Sequence, residues 1–211
     1  MQYLTRIEVS NETASKKGLT DLYKWHKAAW ELFPGRPDAE RDFLFRLNSK
    51  PEGSELLVLS KTEPVKCEWC SAEQFAVKNI SSKFLEHRYY LFDILANPTR
   101  KIAVNNDGMF KKNGKRVVLT KLEDQWNWFK RKSEAAGFKV LDKPELIIEP
   151  AQNYGFVIGM DYANPGLHVG VKYKGVLEVQ DKELFKKSFK QGIGSAKGFG
   201  FGMLILKPIQ I

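Results

Sequence analysis

The sequence has few cysteines, few histidines and no long apolar segment: its 211 residues include two cysteines and three histidines. Two cysteines cannot provide the disulfide framework of a small secreted protein. No segment approaches the ~20 apolar residues that a membrane-spanning helix needs, and the N-terminal MQYLTRIEVS lacks the apolar core of a signal peptide. We therefore expect a cytoplasmic protein that makes no membrane contact.

Recognisable metal and cofactor motifs are also missing. Cys67 and Cys70 form a single C-x-x-C pair, without the two further ligands that a structural zinc site requires. No cluster of carboxylates indicates a magnesium-dependent nuclease. The glycine-rich segment 192–202 matches neither the Walker loop nor the dinucleotide-binding motif. The sequence therefore predicts no metal and no cofactor.

What the sequence has is positive charge, and that charge is concentrated in its second half. The chain carries 34 Lys and Arg against 25 Asp and Glu, a net charge of +9, yet residues 1–99 are neutral. Residues 100–132 alone carry +7, from Arg100, Lys101, Lys111, Lys112, Lys115, Arg116, Lys121, Lys130, Arg131 and Lys132 against three acidic residues. Such a local field attracts polyanions and favours nucleic-acid contact, with a solvated lysine-rich face as the alternative.

Hydrophobic periodicity predicts alternating strands and helices in both halves of the chain. In the first half the predicted elements are a strand at Tyr3–Val9, a loop at Ser10–Gly18, a helix at Asp21–Phe33, strands at Phe43–Leu47 and Leu56–Ser60, a short helix at Ser71–Val77 and a strand at His87–Leu95. This order is β-α-β-β-α-β, the pattern of a ferredoxin-like domain.

The second half has a similar rhythm and begins with a hairpin. Its predicted elements are a hairpin at Lys101–Leu119, a helix from Thr120 to Ala136, strands at Leu146–Glu149, Phe156–Met160 and His168–Val179, a helix at Lys182–Lys190 and a strand at Met203–Leu206. We therefore expect an α+β protein of two tandem ferredoxin-like domains, at residues 1–97 and 98–211.

One face of the first long helix combines three groups that can act on RNA. This face carries Tyr23, His26, Lys27 and Trp30, at helical spacings of three, four and seven residues. A phenol, an imidazole and an ammonium can together move protons and stabilise the charge that builds up when a 2′-hydroxyl attacks the adjacent phosphate. The alternative is that His26 is a structural residue without a catalytic role.

The glycine-rich segment 192–202 contains five of the chain's glycines, including Gly194 and Gly198, around the cation Lys197. A backbone without Cβ atoms can approach a phosphate or a base closely, so we expect this loop to contact RNA. The alternative is that the glycines serve a tight helix-to-strand connection.

Four stretches of the chain resemble the CasE family, the repeat-cleaving endoribonucleases of type I-E CRISPR systems. The matching stretches are Leu22–His26 with Trp30, Leu32–Asp38 and Arg41–Phe45; Ala96–Lys101; Trp128–Lys132; and Gly175–Val179 with Gly192–Gly200. The glycine-rich loop is shared with a wider family of repeat-associated RNA-binding proteins. The resemblance implies two ferredoxin-like domains and metal-independent cleavage of CRISPR precursor RNA at the base of the repeat stem-loop. It also implies that the mature crRNA is retained within a type I-E surveillance complex of several subunits.

The same resemblance assigns roles to individual residues. The family's catalytic histidine falls on His26, and a tyrosine of some relatives falls on Tyr23. Basic residues that contact the phosphates of the RNA stem fall on Arg131 and Lys132. Where some relatives have a supporting lysine, this chain has Glu31. We expect another cation to take that role, either Lys27 or one of the residues 111–116.

The remaining expected RNA contacts come from the basic residues in the matching stretches and in the predicted hairpin. They are Arg36, Arg100, Lys101, Lys111, Lys112, Lys115, Arg116 and Lys197. Two alternatives to a nuclease stay open: a non-catalytic RNA-binding subunit of a CRISPR ribonucleoprotein complex, and a small-molecule enzyme with an incidental basic face.

Overall fold

The first half of the chain forms a four-stranded antiparallel sheet covered by helices. A computed structural model describes residues 2–35, 40–104, 110–142, 146–158 and 165–210. The first elements are β1 (Gln2–Ser10), α1 (Asn11–Lys17), α2 (Leu22–Trp30), β2 (Phe43–Lys50), β3 (Gly53–Ser60) and β4 (Phe75–Ile80). The strand order β2-β3-β1-β4 is that of a ferredoxin-like sheet, as predicted.

Two local predictions in this half are wrong. Ser10–Gly18 was expected to be a loop but contains α1, because the Ser10 side chain accepts a hydrogen bond from the Thr13 N–H and Gly18 ends the helix in the left-handed conformation. Ser71–Val77 was expected to be a short helix, but β4 starts at Phe75 and pairs with β1 along six residues. Pairing with a distant strand outweighed the local propensity of this short segment.

The second sheet contains most of the remaining strands. Its elements are β5 (Tyr89–Ala96), β8 (Phe138–Val140), β9 (Ile147–Ile148), β10 (Gln152–Phe156), β11 (Gly166–Val179) and β12 (Leu204–Ile209), with helices α3 (Leu122–Ala135) and α4 (Lys182–Gln191). β5 lies between β12 and β11, while β8, β9 and β10 pair with β11 on its other side. This is again the ferredoxin-like order, so the chain contains two such units.

The division between the units differs from the predicted one. The strand that was expected to complete domain 1–97 is β5, which pairs with β11 and β12 of the second sheet. The two sheets therefore divide between Ile80 and Tyr89 rather than at residue 97. The cause is non-local: strand pairing decides to which sheet a strand belongs, and sequence periodicity carries no information about pairing.

The predicted basic hairpin is present and stands apart from both sheets. It consists of β6 (Thr99–Val104) and β7 (Phe110–Val118), which pair only with each other among the described strands. Its base follows directly on β5, so the end of the central strand of the second sheet fixes where the hairpin begins.

The two units share a continuous buried surface and an ion pair. Leu44 and Leu59 of the first sheet belong to the same hydrophobic cluster as Phe92 of the second. Beside them, the Arg46 guanidinium lies 2.7 Å from the Asp93 carboxylate, with the Arg46 side chain almost fully buried. Among the described residues, no helix is long and apolar enough to span a membrane.

Candidate active site

Helix α2 begins as the sequence predicts and presents the expected polar face. Asp21 caps it by accepting hydrogen bonds from the N–H groups of Tyr23 and Lys24, at 2.8 and 3.1 Å. The opposite side is buried and anchors the helix on the first sheet. On the polar face, the Lys27 ammonium lies 5.2 Å from the centre of the Tyr23 ring. The helix therefore has a fixed start and a fixed rotation, which place its histidine.

His26 sits in an aromatic pocket made by its own helix and β2. The rings of Phe43 and Phe45 have their centres 6.2 and 6.0 Å from that of the imidazole. The Trp30 indole N–H, one turn further along α2, donates a hydrogen bond of 3.1 Å to His26 Nε2. His26 Nδ1 is buried and has no hydrogen-bond partner among the residues that the structure describes.

This pocket favours the neutral form of His26. Burial disfavours the charged imidazolium and is the larger cause of the lowered pKa of His26; the neighbouring Arg41 guanidinium lowers the pKa further by repulsion. A neutral imidazole has one nitrogen lone pair that can accept a proton. The electrostatics of the site therefore suit a proton acceptor better than a proton donor.

Arg41 is the cation next to His26, and sequence reasoning did not assign it this role. Its guanidinium lies over the Phe43 ring, with 6.0 Å from Cζ to the ring centre, and donates a hydrogen bond to the Lys197 carbonyl. Glu31, where relatives were expected to have a lysine, instead accepts a hydrogen bond from the Trp69 indole at 2.8 Å. The sequence feature that could have identified Arg41 as a site residue is its position two residues before Phe43, in a stretch that resembles the family.

The glycine-rich loop lies directly against this site. Its 3-10 turn, Lys197–Phe199, contacts both α2 and β2. The Lys197 ammonium donates to the carbonyls of Gln191 and Gly192, at 2.9 and 3.5 Å, so this side chain braces the loop as well as adding charge. Burial is the main cause that lowers the pKa of Lys197, followed by the charges of Arg41 and Lys132. Arg41 and Lys132 therefore both lie close enough to Lys197 to act on its charge.

The same loop also contacts the basic helix and the base of the basic hairpin. A Cβ atom on Gly194 would lie 3.0 Å from Cη2 of Trp128, on α3. The Ser195 hydroxyl donates to Oδ1 of Asn97 at 3.0 Å and lies 3.3 Å from the hydroxyl of Thr99, the first residue of β6. One loop thus brings the His26 helix, α3 and the hairpin together.

The predicted RNA contacts fall into three places around this loop. Arg131 and Lys132 lie near the end of α3, the first exposed and the second half-buried. The hairpin carries Arg100 and Lys101 on β6 and Lys111, Lys112, Lys115 and Arg116 on β7. In the strand register Lys101 lies opposite Arg116. Gly198 lies beside Arg41: a Cβ atom there would be 3.9 Å from the guanidinium. Arg36 lies outside the described residues.

The structure also locates the cysteine pair. Cys67 and Cys70 are buried in the core of the first unit, with their sulfur atoms 2.8 Å apart, and burial is the main cause that raises the pKa of the Cys67 thiol. Within the described part of the chain, no group of three or more His, Cys, Asp or Glu side chains could hold a metal ion.

The two ferredoxin-like sheets, joined at a glycine-rich loop beside a histidine-bearing helix, place the chain in the class of tandem ferredoxin-like proteins. The chain belongs to the family described as CRISPR associated protein, which matches residues 2–208. It is 32% identical to the CRISPR system Cascade subunit CasE of Escherichia coli, over 90% of this chain and 93% of that protein.

Solved structures agree with this membership. The structure of the Escherichia coli CRISPR-associated protein Cas6e superposes with a TM-score of 0.68 at 28% identity, covering 99% of this chain and 100% of that one. Thermus thermophilus Cse3, bound to an RNA representing a pre-cleavage complex, superposes with a TM-score of 0.76 at 22% identity, covering 98% and 99%. The second likeness supports the fold alone.

Proposed function

We propose that this protein is a metal-independent endoribonuclease that cleaves CRISPR precursor RNA at the base of the repeat stem-loop and stays bound to the mature crRNA. Its relatives include the Cascade subunit CasE and a protein named CRISPR-associated endoribonuclease Cse3. The observation that carries the proposal is the half-buried His26, which shares the Phe43 ring with Arg41 and lies beside the glycine-rich loop.

In this proposal His26 is the general base. Its Nε2 takes the proton of the 2′-hydroxyl, and the hydroxyl oxygen forms a bond to the adjacent phosphorus. The bond from phosphorus to the 5′-oxygen breaks, and that oxygen receives a proton from Tyr23 or Lys27 on the same helix face. The products are a 2′,3′-cyclic phosphate and a 5′-hydroxyl. Arg41 lies where a cation can stabilise the charge that builds up on the phosphorane.

The basic surface is proposed to hold the RNA stem. A-form RNA has a deep, narrow major groove, so a stem is bound mainly through its shape and phosphates. Arg131 and Lys132 on α3, together with the basic hairpin, flank the glycine-rich loop that touches α2. A stem held along α3 would therefore bring its base toward His26.

The proposed partners follow from the family and its relatives. One relative is a subunit of Cascade, and we propose that this chain likewise joins the other subunits of a type I-E surveillance complex. We propose a cytoplasmic location for the assembly, where precursor RNA is transcribed.

One observation favours a second candidate function, a non-catalytic RNA-binding subunit. The proton-accepting nitrogen of His26 is already occupied by the Trp30 indole N–H. If that hydrogen bond persists when RNA is bound, His26 cannot act as a base.

Cleavage of a repeat hairpin RNA in EDTA distinguishes the two functions. The nuclease proposal predicts a product with a 2′,3′-cyclic phosphate, and predicts that a matched RNA with one 2′-deoxy sugar at the cleavage site is bound but left intact. Tight binding without cleavage of the unmodified RNA would establish the non-catalytic function, while cleavage that requires added metal would contradict the mechanism.

A further inference from the structure

The hydrogen bond between Trp30 and His26 determines which nitrogen of the imidazole can react. Because the indole N–H can only donate, Nε2 must be the unprotonated nitrogen that accepts it. The neutral ring then carries its proton on Nδ1. That Nδ1 atom is buried, with no partner among the described residues. A buried N–H without a hydrogen-bond partner costs free energy, which disfavours the Nδ1-protonated tautomer. The hydrogen bond from Trp30 stabilises this tautomer and offsets that cost.

Trp30 is itself fixed by its surroundings. Its ring packs edge-to-face on Phe43, with the centres 5.0 Å apart and the planes at 81°. Phe43 also stacks on His26 with the planes at 29°. Since Trp30 follows His26 by four residues on α2, the two side chains are neighbours on one helix face. The indole is thus aimed at Nε2 by the helix and by β2 together.

We propose that Trp30 is a positioning residue, which holds His26 in the Nδ1-protonated tautomer with the Nε2 lone pair as its reactive site, and which releases that lone pair when the 2′-hydroxyl of the RNA replaces the indole N–H. This inference rests on the proposed nuclease function. In this step the 2′-hydroxyl replaces the indole N–H as the hydrogen-bond donor to His26 Nε2, and the two donors are of similar strength. The arriving hydroxyl therefore finds a base that already has the right tautomer.

Removing the indole N–H should change the acid–base behaviour of His26 in a defined direction. A hydrogen bond to the neutral form of a base lowers its pKa, and a bond of typical strength corresponds to roughly 0.4 to 1 pKa unit. Trp30→Phe retains an aromatic ring against Phe43 but removes the donor. We expect the pKa of His26 to rise by about that amount. We also expect the ratio of the Nδ1-protonated tautomer to the Nε2-protonated tautomer to fall roughly two- to tenfold.

The other charged groups around His26 stay in place in this variant. They are Arg41 before β2, Lys197 of the glycine-rich loop, and Lys27 beside Tyr23 on α2 itself. A matched control exists at the end of the same helix, where the Trp69 indole donates to the Glu31 carboxylate. Trp69→Phe removes an indole N–H next to α2 without touching His26.

The test is a nitrogen-15 NMR titration of the free protein, in which the His26 signals are assigned by their loss in His26→Ala. Trp30→Phe should raise the pKa of His26 and mix its tautomers, while Trp69→Phe should leave both as in the wild type. An unchanged pKa and tautomer in Trp30→Phe would overturn the proposal. If Trp30→Phe does not fold, the wild type alone decides: a ring protonated on Nε2 would overturn the proposal.

Cleavage then provides a separate readout. In a plot of kcat/KM against pH, the acid limb reports the pKa of the general base in the free enzyme. In Trp30→Phe this limb should therefore move to higher pH by the same interval as the pKa of His26 measured by NMR. A limb that stays in place while the NMR pKa moves would overturn the role of Trp30 in the reaction. Because the titration needs no RNA, an inactive wild type would refute the nuclease function and still leave the tautomer result readable.

Discussion

The structure predicts that a single methyl group on Gly194 disturbs the junction on which the site depends. Gly194 has φ +87°, and an added Cβ would lie 3.0 and 3.2 Å from Cη2 and Cζ2 of Trp128. An L-residue in the left-handed region costs about 1–2 kcal/mol, and displacing a packed indole costs about 1–3 kcal/mol. The smaller entropy of the unfolded alanine chain offsets about 0.4–1 kcal/mol. Gly194→Ala should therefore lower the free energy of unfolding by about 1–5 kcal/mol.

Urea unfolding measures this change, and Gly155 provides the matched control. Gly155 lies on β10 without a positive φ, and a Cβ atom there would meet no described atom within 4 Å. Gly155→Ala should leave stability within about 0.5 kcal/mol of the wild type. Because Trp128 lies one helical turn before Arg131 and Lys132, Gly194→Ala should also weaken binding of repeat RNA. Equal stability of the two variants would refute the close packing of the loop on α3.

Two further predictions concern the charges around the site. Replacing Arg131 and Lys132 by Ala should reduce the slope of log Kd against log salt concentration by up to about 1.8. The ratio of wild-type affinity to variant affinity should then fall about twelvefold between 50 and 200 mM salt. An unchanged slope would exclude α3 as a phosphate contact. Arg41→Gln should raise the pKa of His26, since the repelling charge is gone, and lower the cleavage rate by about 10²-fold or more. If Arg41→Gln cleaves RNA at the wild-type rate, Arg41 is not the cation that stabilises the phosphorane.

Local sequence signals predicted the elements that local interactions decide. The helix predicted to begin at Asp21 is present with Asp21 as its cap, and the predicted hairpin is present as β6 and β7. The predicted helix face was confirmed by the contacts that Lys27 and Trp30 make with their neighbours on it. These features depend on residues within about two helical turns or one hairpin of each other.

Features that depend on distant parts of the chain could not be predicted in the same way. β5 looked like the last strand of the first unit, but its partners are β11 and β12, more than 70 residues away along the sequence. Arg41 reaches His26 because Phe43 and Phe45 of β2 pack against α2 and because the Lys197 carbonyl holds the guanidinium. Strand pairing and loop docking of this kind leave no periodic trace in the sequence.

His26→Ala tests most directly whether His26 is the base that cleaves the RNA. The measurement compares the single-turnover cleavage rate and the Kd for repeat RNA between the variant and the wild type, in EDTA. Loss of a general base should lower the rate by about 10²–10⁴-fold while the Kd stays nearly the same, because the basic surface is intact. A variant that binds and cleaves the RNA as the wild type does would show that His26 is not the base.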